Sequence, residues 1–270
     1  MLKAYLTKEA KCEEMETYKH PLYYEIAHSF FDVRKQVDTF ETLIRKFSKI
    51  KVRRFLDIAC GPSLQLREIA KRGYEGVGLD LAPEMLRYLS RKEKEEGLRI
   101  ETVQTDMSNF RVKKKVDFAF IMMGSLVFES NEKFMDHLDS VACSLKRGGL
   151  YFIQNKMVDW TGTVEQSWTE EREGITVKTT FSMHWKDILN QVYTERLKFE
   201  VNDHGQTERF VSQEDLKFTF PQEFKALVKL NSNFEFLGWW EGNESTWFLG
   251  KPLEKSKTPG NINMILLRRK

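Results

Sequence analysis

Apolar positions along the chain change period twice. Phe40, Leu43, Ile44 and Phe47 recur at i, i+3, i+4 and i+7, one face of a helix. They place an amphipathic helical segment within residues 1–50, behind an aromatic stretch, HPLYYEIAHSFFD (20–32). From residue 51 short apolar runs alternate with helical patterns. RRFLDIA (53–59), GVGLD (76–80), RIETVQTD (99–106), VDFAFIM (116–122) and LYFIQNK (150–156) read as strands. SLQLREIAKR (63–72), PEMLRYLSRKEKEE (83–96) and NEKFMDHLDSVACSLKRGG (131–149) read as helices, the last ending at its glycines. Such alternation predicts an α/β fold, a parallel sheet with helices on both faces. After residue 156 the period drops to 2. TVEQSWTEE (163–171), ITVKTTFSMHW (175–185), NQVYTERLKFEV (190–201) and ERFVSQEDLKFTF (208–220) form an expected antiparallel β insertion after strand 5, with NDHG (202–205) as a turn. PQEFKALVKLN (221–231) returns to helix, and FEFLGWWEG and NINMILLRRK close the chain as two strands. The expected division is 1–156 with 221–270 as the core, N-terminal helical segment included, and 157–220 as the insertion, either a lid over the substrate or a dimer surface.

Composition narrows the class. A chain of 270 residues with 41% hydrophobic and 31% charged residues supports a real core and a solvated surface. The net charge is only +3, and basic residues interleave with acidic ones, as in SRKEKEEG (90–97), which weighs against a nucleic-acid partner. Three distant cysteines, Cys12, Cys60 and Cys143, make no CxxC pair and no disulfide framework, and the histidines lack metal-ligand spacing, so no metal is expected. No apolar run is long enough to span a bilayer and no secretory leader is visible, so the expected location is the cytoplasm.

In a parallel sheet of this type ligands sit at the carboxyl ends of the strands. Asp57 to Ser63, Asp80, Asp106 and the 122–129 segment therefore gather on one rim. The turn Ala59-Cys60-Gly61-Pro62-Ser63 lacks the further glycines of a dinucleotide turn, and Pro62 removes an N–H that a phosphate would use. A nucleoside without phosphates fits better: Gly61 lets the backbone pass close, Asp80 can accept from two ribose hydroxyls, and Asp106 from an exocyclic amine. S-adenosylmethionine meets that description.

FLDIACGPS, GVGLDLAPEML, VQTDMSNF and VDFAFIMMGSLVFE resemble, in order and spacing, the four signature motifs of class I S-adenosylmethionine-dependent methyltransferases. The resemblance runs from about residue 20 to 156. The layout is similar to a subgroup that methylates small molecules, often amines such as amino sugars or glycine derivatives, with a tyrosine-rich N-terminal helix and an antiparallel insertion after the fifth strand. It implies a Rossmann-like sheet and S-adenosylmethionine as cofactor. Ala59, Gly61 and Ser63 then line its methionine part, Asp80 holds the ribose between Leu81 and Met85, and Asp106 and Met107 bracket the adenine. Met122 and Ser125 stand where sulfonium and acceptor meet. Asp57 either serves the cofactor or satisfies turn amides. Two departures stand out: Gly61-Pro62-Ser63 replaces the common Gly-Thr-Gly, and Ala82 replaces a serine cap.

Methyl transfer is an in-line displacement that needs alignment more than acid–base chemistry. Tyr24, on the helix expected to fold over the cofactor, and His184, in a strand of the insertion, are the catalytic candidates, with Glu129 as a further base. Each has a structural alternative, Tyr24 as a core aromatic and His184 as a strand histidine. The expected partner is a small-molecule acceptor, with a homodimer as an option. The competing functions are an RNA or protein methyltransferase on the same fold and a non-catalytic cofactor-binding subunit.

Overall fold

The structure, a computed structural model, describes residues 16–156, 164–242, 249–255 and 262–270. The chain divides into two compact units, one holding the described residues 16–30 and 164–216, the other 31–156 and those from 217 onward.

The larger unit is built on an eight-stranded sheet. In chain order its strands are β1 (Arg54–Ile58), β2 (Glu75–Asp80), β3 (Ile100–Gln104), β4 (Val116–Ile121), β5 (Leu145–Lys156), β10 (Phe234–Gly242), β11 (Leu249–Pro252) and β12 (Ile262–Arg269). Their order across the sheet is β11-β10-β12-β5-β4-β1-β2-β3. Strands β1 to β5 pair in parallel; β12 joins β5 antiparallel, and β10 and β11 continue antiparallel.

Helices α2 (Val33–Phe47), α3 (Leu64–Lys71) and α4 (Pro83–Glu95) cover one face; α5 (Asn131–Ser144) and α6 (Pro221–Asn231) cover the other. Strand alternation divides the apolar side chains between two cores. Phe118, Phe120 and Phe152 meet Phe40 of α2, ring centroids 4.9–5.3 Å away. Val116, Ala119, Ile121, Tyr151 and Ile153 meet α5 and α6. Burying Phe40 alone contributes roughly 1.5–3 kcal/mol. The amphipathic spacing read at 40–47 is this contact. Helix α2 runs against the strands: beyond its last turn Lys49 donates to the Gly148 carbonyl near the start of β5. Its first turn therefore lies at the strands' carboxyl ends.

The smaller unit is the sheet β6 (Val164–Arg172), β7 (Ile175–Asp187), β8 (Val192–Asp203) and β9 (Gln206–Lys217), in that order. The NDHG turn closes β8 onto β9, with His204 and Gly205 at positive φ and Asn202 Oδ1 accepting from Gly205 N. Helix α1 (Pro21–Ala27) packs on this sheet through Ile26 and Ala27, against Ile175, Val177, Phe199 and Val201. Trp168 Nε1 donates to the Ala27 carbonyl at 2.6 Å, and Arg172 pairs with buried Glu25 at 2.8 Å.

Three details differ from the sequence reading. The described N-terminal residues up to Phe30 group with the antiparallel sheet rather than with the core, because the apolar face of α1 finds its partners there. Helix α5 ends at Ser144, and Gly148-Gly149 lie inside β5 instead of terminating a helix. The β4–β5 register shifts at that point, and a Cβ on Gly149 would come within 2.7 Å of the Asp117 carbonyl, so the glycine admits a close backbone approach. Strand β11, a short edge, had no periodic signal.

Candidate active site

The turn after β1 is built from three left-handed residues, Ala59, Gly61 and Ser63, with φ of 54°, 53° and 41°. Cys60 N donates to the Leu79 carbonyl of β2 at 2.8 Å, and Ser63 N to the Cys60 carbonyl at 3.0 Å. A left-handed conformation costs a non-glycine residue on the order of 1 kcal/mol. Ser63 offsets it through its hydroxyl, which accepts from Leu66 N at 3.2 Å, capping α3, and donates to Asp57 Oδ2 at 2.5 Å. Around Gly61 there is open space: a Cβ there would meet only Met85 Sδ, at 4.0 Å.

Asp57 is buried at the end of β1, and that burial, with Asp80 nearby, raises its carboxyl well above the usual range. Its described bond is to the Ser63 hydroxyl. Asp80, at the end of β2, ties two elements together: Oδ2 accepts from Gly61 N at 2.7 Å and Oδ1 from Ala82 N at 2.8 Å. The second bond fixes the residue before α4, whose first turn has no side-chain cap. A carboxylate offers about four lone-pair positions, and with the Leu81 amide as a third backbone donor one is left for a hydroxyl. Burial raises the Asp80 carboxyl, and the amide donors at Ala82 and Gly61 counter that rise. Beside it Leu81 is 55% exposed, while Met85 is buried beneath the turn.

Asp106, exposed beyond β3, accepts from Ser108 N through Oδ1 at 2.7 Å and keeps Oδ2 for other donors. The Met107 carbonyl lies 2.7 Å from His137 Nδ1, and His137 Nε2 lies 2.7 Å from the Tyr151 hydroxyl. A neutral imidazole satisfies both bonds by donating from Nδ1 and accepting at Nε2. Burial lowers the His137 pKa to about 4, keeping it neutral. At the end of β4, Met122 is buried, Met123 and Gly124 are left-handed, and Ser125 N donates to the Met122 carbonyl at 3.1 Å. Gln154 of β5 grips this loop: its Oε1 accepts from Met123 N at 2.7 Å, its carbonyl from Gly124 N at 3.3 Å.

The structure thus links Asp57 to Ser63, and Gly61 to Asp80, with Met85 below the turn. Asp106 with Met107, and Met122 with Ser125, occupy the ends of β3 and β4 in the same unit. Tyr24 and His184 belong to the other unit. The Tyr24 ring lies 4.4 Å from His28 and 5.7 Å from Tyr18. His184 is exposed on β7, opposite Thr194 of β8. Glu129 is exposed where the β4 loop ends. Sequence reasoning missed Gln154 and His137. Both act across long chain separations, and nothing local marks them.

Asp80 and Asp106 stand at the ends of β2 and β3 with no ion pair among the described residues, whereas Glu84 pairs with Arg87 at 2.6 Å. A rim of that charge suits a cationic ligand and repels phosphates. S-adenosylmethionine carries a sulfonium and an ammonium, and the residues fit it: spare acceptors on Asp80 and Asp106, an unhindered face at Gly61, and an exposed apolar side chain at Leu81.

The comparisons with known proteins agree. Residues 55–149 match a family model described as a methyltransferase domain. Among solved structures, an S-adenosylmethionine-dependent methyltransferase from Clostridium acetobutylicum ATCC 824 superposes with a TM-score of 0.74 at 15% identity, covering 92% of this chain and 96% of its own. The sugar N-methyltransferase KedS8 from Streptoalloteichus sp ATCC 53650 gives 0.71 at 17%, covering 99% of each chain. CalS10, an amino pentose methyltransferase from Micromonospora echinaspora solved with S-adenosylmethionine bound, gives 0.68 at 18%, covering 92% and 96%. No curated protein matches the sequence. The fold is that of the class I methyltransferases, with the antiparallel sheet after β5 that the sequence led us to expect. Residues 55–149 thus carry a methyltransferase domain, set in a chain that has the class I methyltransferase fold. Among the described residues no helix is long and apolar enough to cross a membrane.

Proposed function

We propose that the protein methylates an amine nitrogen on a small molecule, with an amino sugar as the leading acceptor class. The observation that carries this reading is the extent of the fold likeness. It runs over 92% and 99% of this chain for a methyltransferase acting on an amino pentose and a sugar N-methyltransferase, insertion included. The near-neutral charge of the chain also supports a small acceptor over a nucleic acid.

S-adenosylmethionine, when bound, supplies a methyl group on an already activated sulfur. The chain's own task is to hold and align. Asp80 accepts from a ribose hydroxyl and Asp106 from the adenine amine, while the acidic rim favours the cation. Met122 and Ser125 shape the end of β4, where nucleophile and methyl must come into line. Good alignment contributes roughly 7–11 kcal/mol at best. The amine reacts in its neutral form and gives its proton to water or to Glu129, the exposed carboxylate on that loop.

The test is a transfer screen with cofactor labelled in the methyl group, across amino sugars, amino acids, phenols, carboxylates and tRNA. Label on an amine nitrogen of a small molecule is the expected result. Label on tRNA, or on oxygen alone, would refute the acceptor class.

A further inference from the structure

Gln154 sits in an unusual place for a polar side chain. Along β5 it shares a face with Leu150 and Phe152, and its register partner in β12 is Met264. One residue past the last β4–β5 pair, Ile121 with Ile153, it comes level with Met122. It is 0% exposed. Only half of the amide is used: Oε1 accepts from Met123 N at 2.7 Å, while Nε2 is buried without a partner among the described residues. The orientation is not a matter of choice, because the Met123 N–H requires an acceptor.

A methionine or leucine would fill this apolar position without an orphaned donor. It would also leave the Met123 N–H unpaired at a left-handed residue, and both faults are unfavourable in a buried site. A glutamate could accept the same bond, at the expense of a charge in an apolar layer. Glutamine is the neutral side chain of this reach that brings a carbonyl to the loop. The Gln154 main-chain carbonyl takes the next amide, Gly124 N, so one residue holds both left-handed positions.

We infer that Gln154 is a positioning residue for methyl transfer: by clamping Met123 and Gly124 it sets the β4 loop that carries Met122 and Ser125 against the sulfonium end of the cofactor. This rests on the function proposed above. The clamp acts at the sulfur end and leaves the adenosine end, held by Asp80 and Asp106, untouched.

Binding and exchange separate the two ends. In Gln154→Met, affinity for S-adenosylmethionine should fall at least fivefold, while affinity for adenosine stays within twofold of wild type. Hydrogen exchange should show lost protection at the Met123 amide, with β1 and β2 unchanged. Gln154→Glu retains the acceptor and should keep both the protection and the S-adenosylmethionine affinity. Equal weakening of both ligands in Gln154→Met would show a general structural role and overturn the inference. So would unchanged Met123 protection, or lost S-adenosylmethionine affinity in Gln154→Glu with the amide still protected. A wild-type chain that binds neither ligand overturns the parent function before any variant is compared.

Discussion

Asp80 is the residue on which most of the site converges. One carboxylate fastens the turn after β1 to the start of α4 and still offers an acceptor position outward. Hydrogen bonds to a charged group contribute roughly 1.5–3 kcal/mol. Asp80→Ala should therefore weaken S-adenosylhomocysteine binding at least tenfold by calorimetry, with the circular dichroism spectrum retained. Unchanged affinity in a folded variant would displace the ribose from Asp80. Its position at the end of β2 was legible in the sequence from the apolar run GVGLD, and its role toward a ribose is what this variant tests. Gln154 was not legible: its meaning depends on Met123, 31 positions away. Asp57 was half legible. It stands at the rim as expected, buried, and its described partner is the Ser63 hydroxyl rather than a turn amide.

Among the elements, α5 shows how a helix on one face reaches the rim. His137, wholly buried among Phe110, Phe128 and Phe134, joins the Met107 carbonyl to the Tyr151 hydroxyl of β5. Its pKa is lowered from 6.5 to about 4 by burial. A depressed histidine is neutral in both states above pH 6.5. As pH falls, the unfolded chain binds the proton first, so stability is lost between pH 6.5 and 4. At pH 4 the loss from this group is about 3 kcal/mol. The raised carboxyl of Asp57 acts in the opposite sense, so the term must be isolated by difference. His137→Phe lacks it. The gap in unfolding free energy between wild type and this variant should close by about 3 kcal/mol from pH 7 to pH 4, measured by urea titration. A gap independent of pH would mean that His137 is protonated in the fold.

The same scale shows where sequence reading stops. Period 3.6 located α2 to α6 and period 2 located the meander, because each pattern is written within its own element. The glycines at 148–149 looked like a helix end, and they serve instead a close pass over Asp117 that only strand pairing creates. Helix α1 has an apolar face in sequence, but which sheet buries it is decided by Val177, Phe199 and Val201, more than 140 residues later.

For the molecule as a whole, charge and fold point the same way. The chain is close to neutral overall, yet Asp80 and Asp106 stand at the rim with no ion pair among the described residues. Such a rim lowers the energy of a cationic nucleoside and raises that of a phosphate. The parallel sheet places those carboxylates on one rim because its strands all end on one side. The most direct measurement is calorimetric titration of the wild-type chain with S-adenosylmethionine, S-adenosylhomocysteine, NAD and ATP under one set of conditions. The first two should bind saturably, and NAD and ATP should give no heat beyond dilution. Saturable binding of NAD or ATP, with S-adenosylmethionine silent, would contradict the account at its centre.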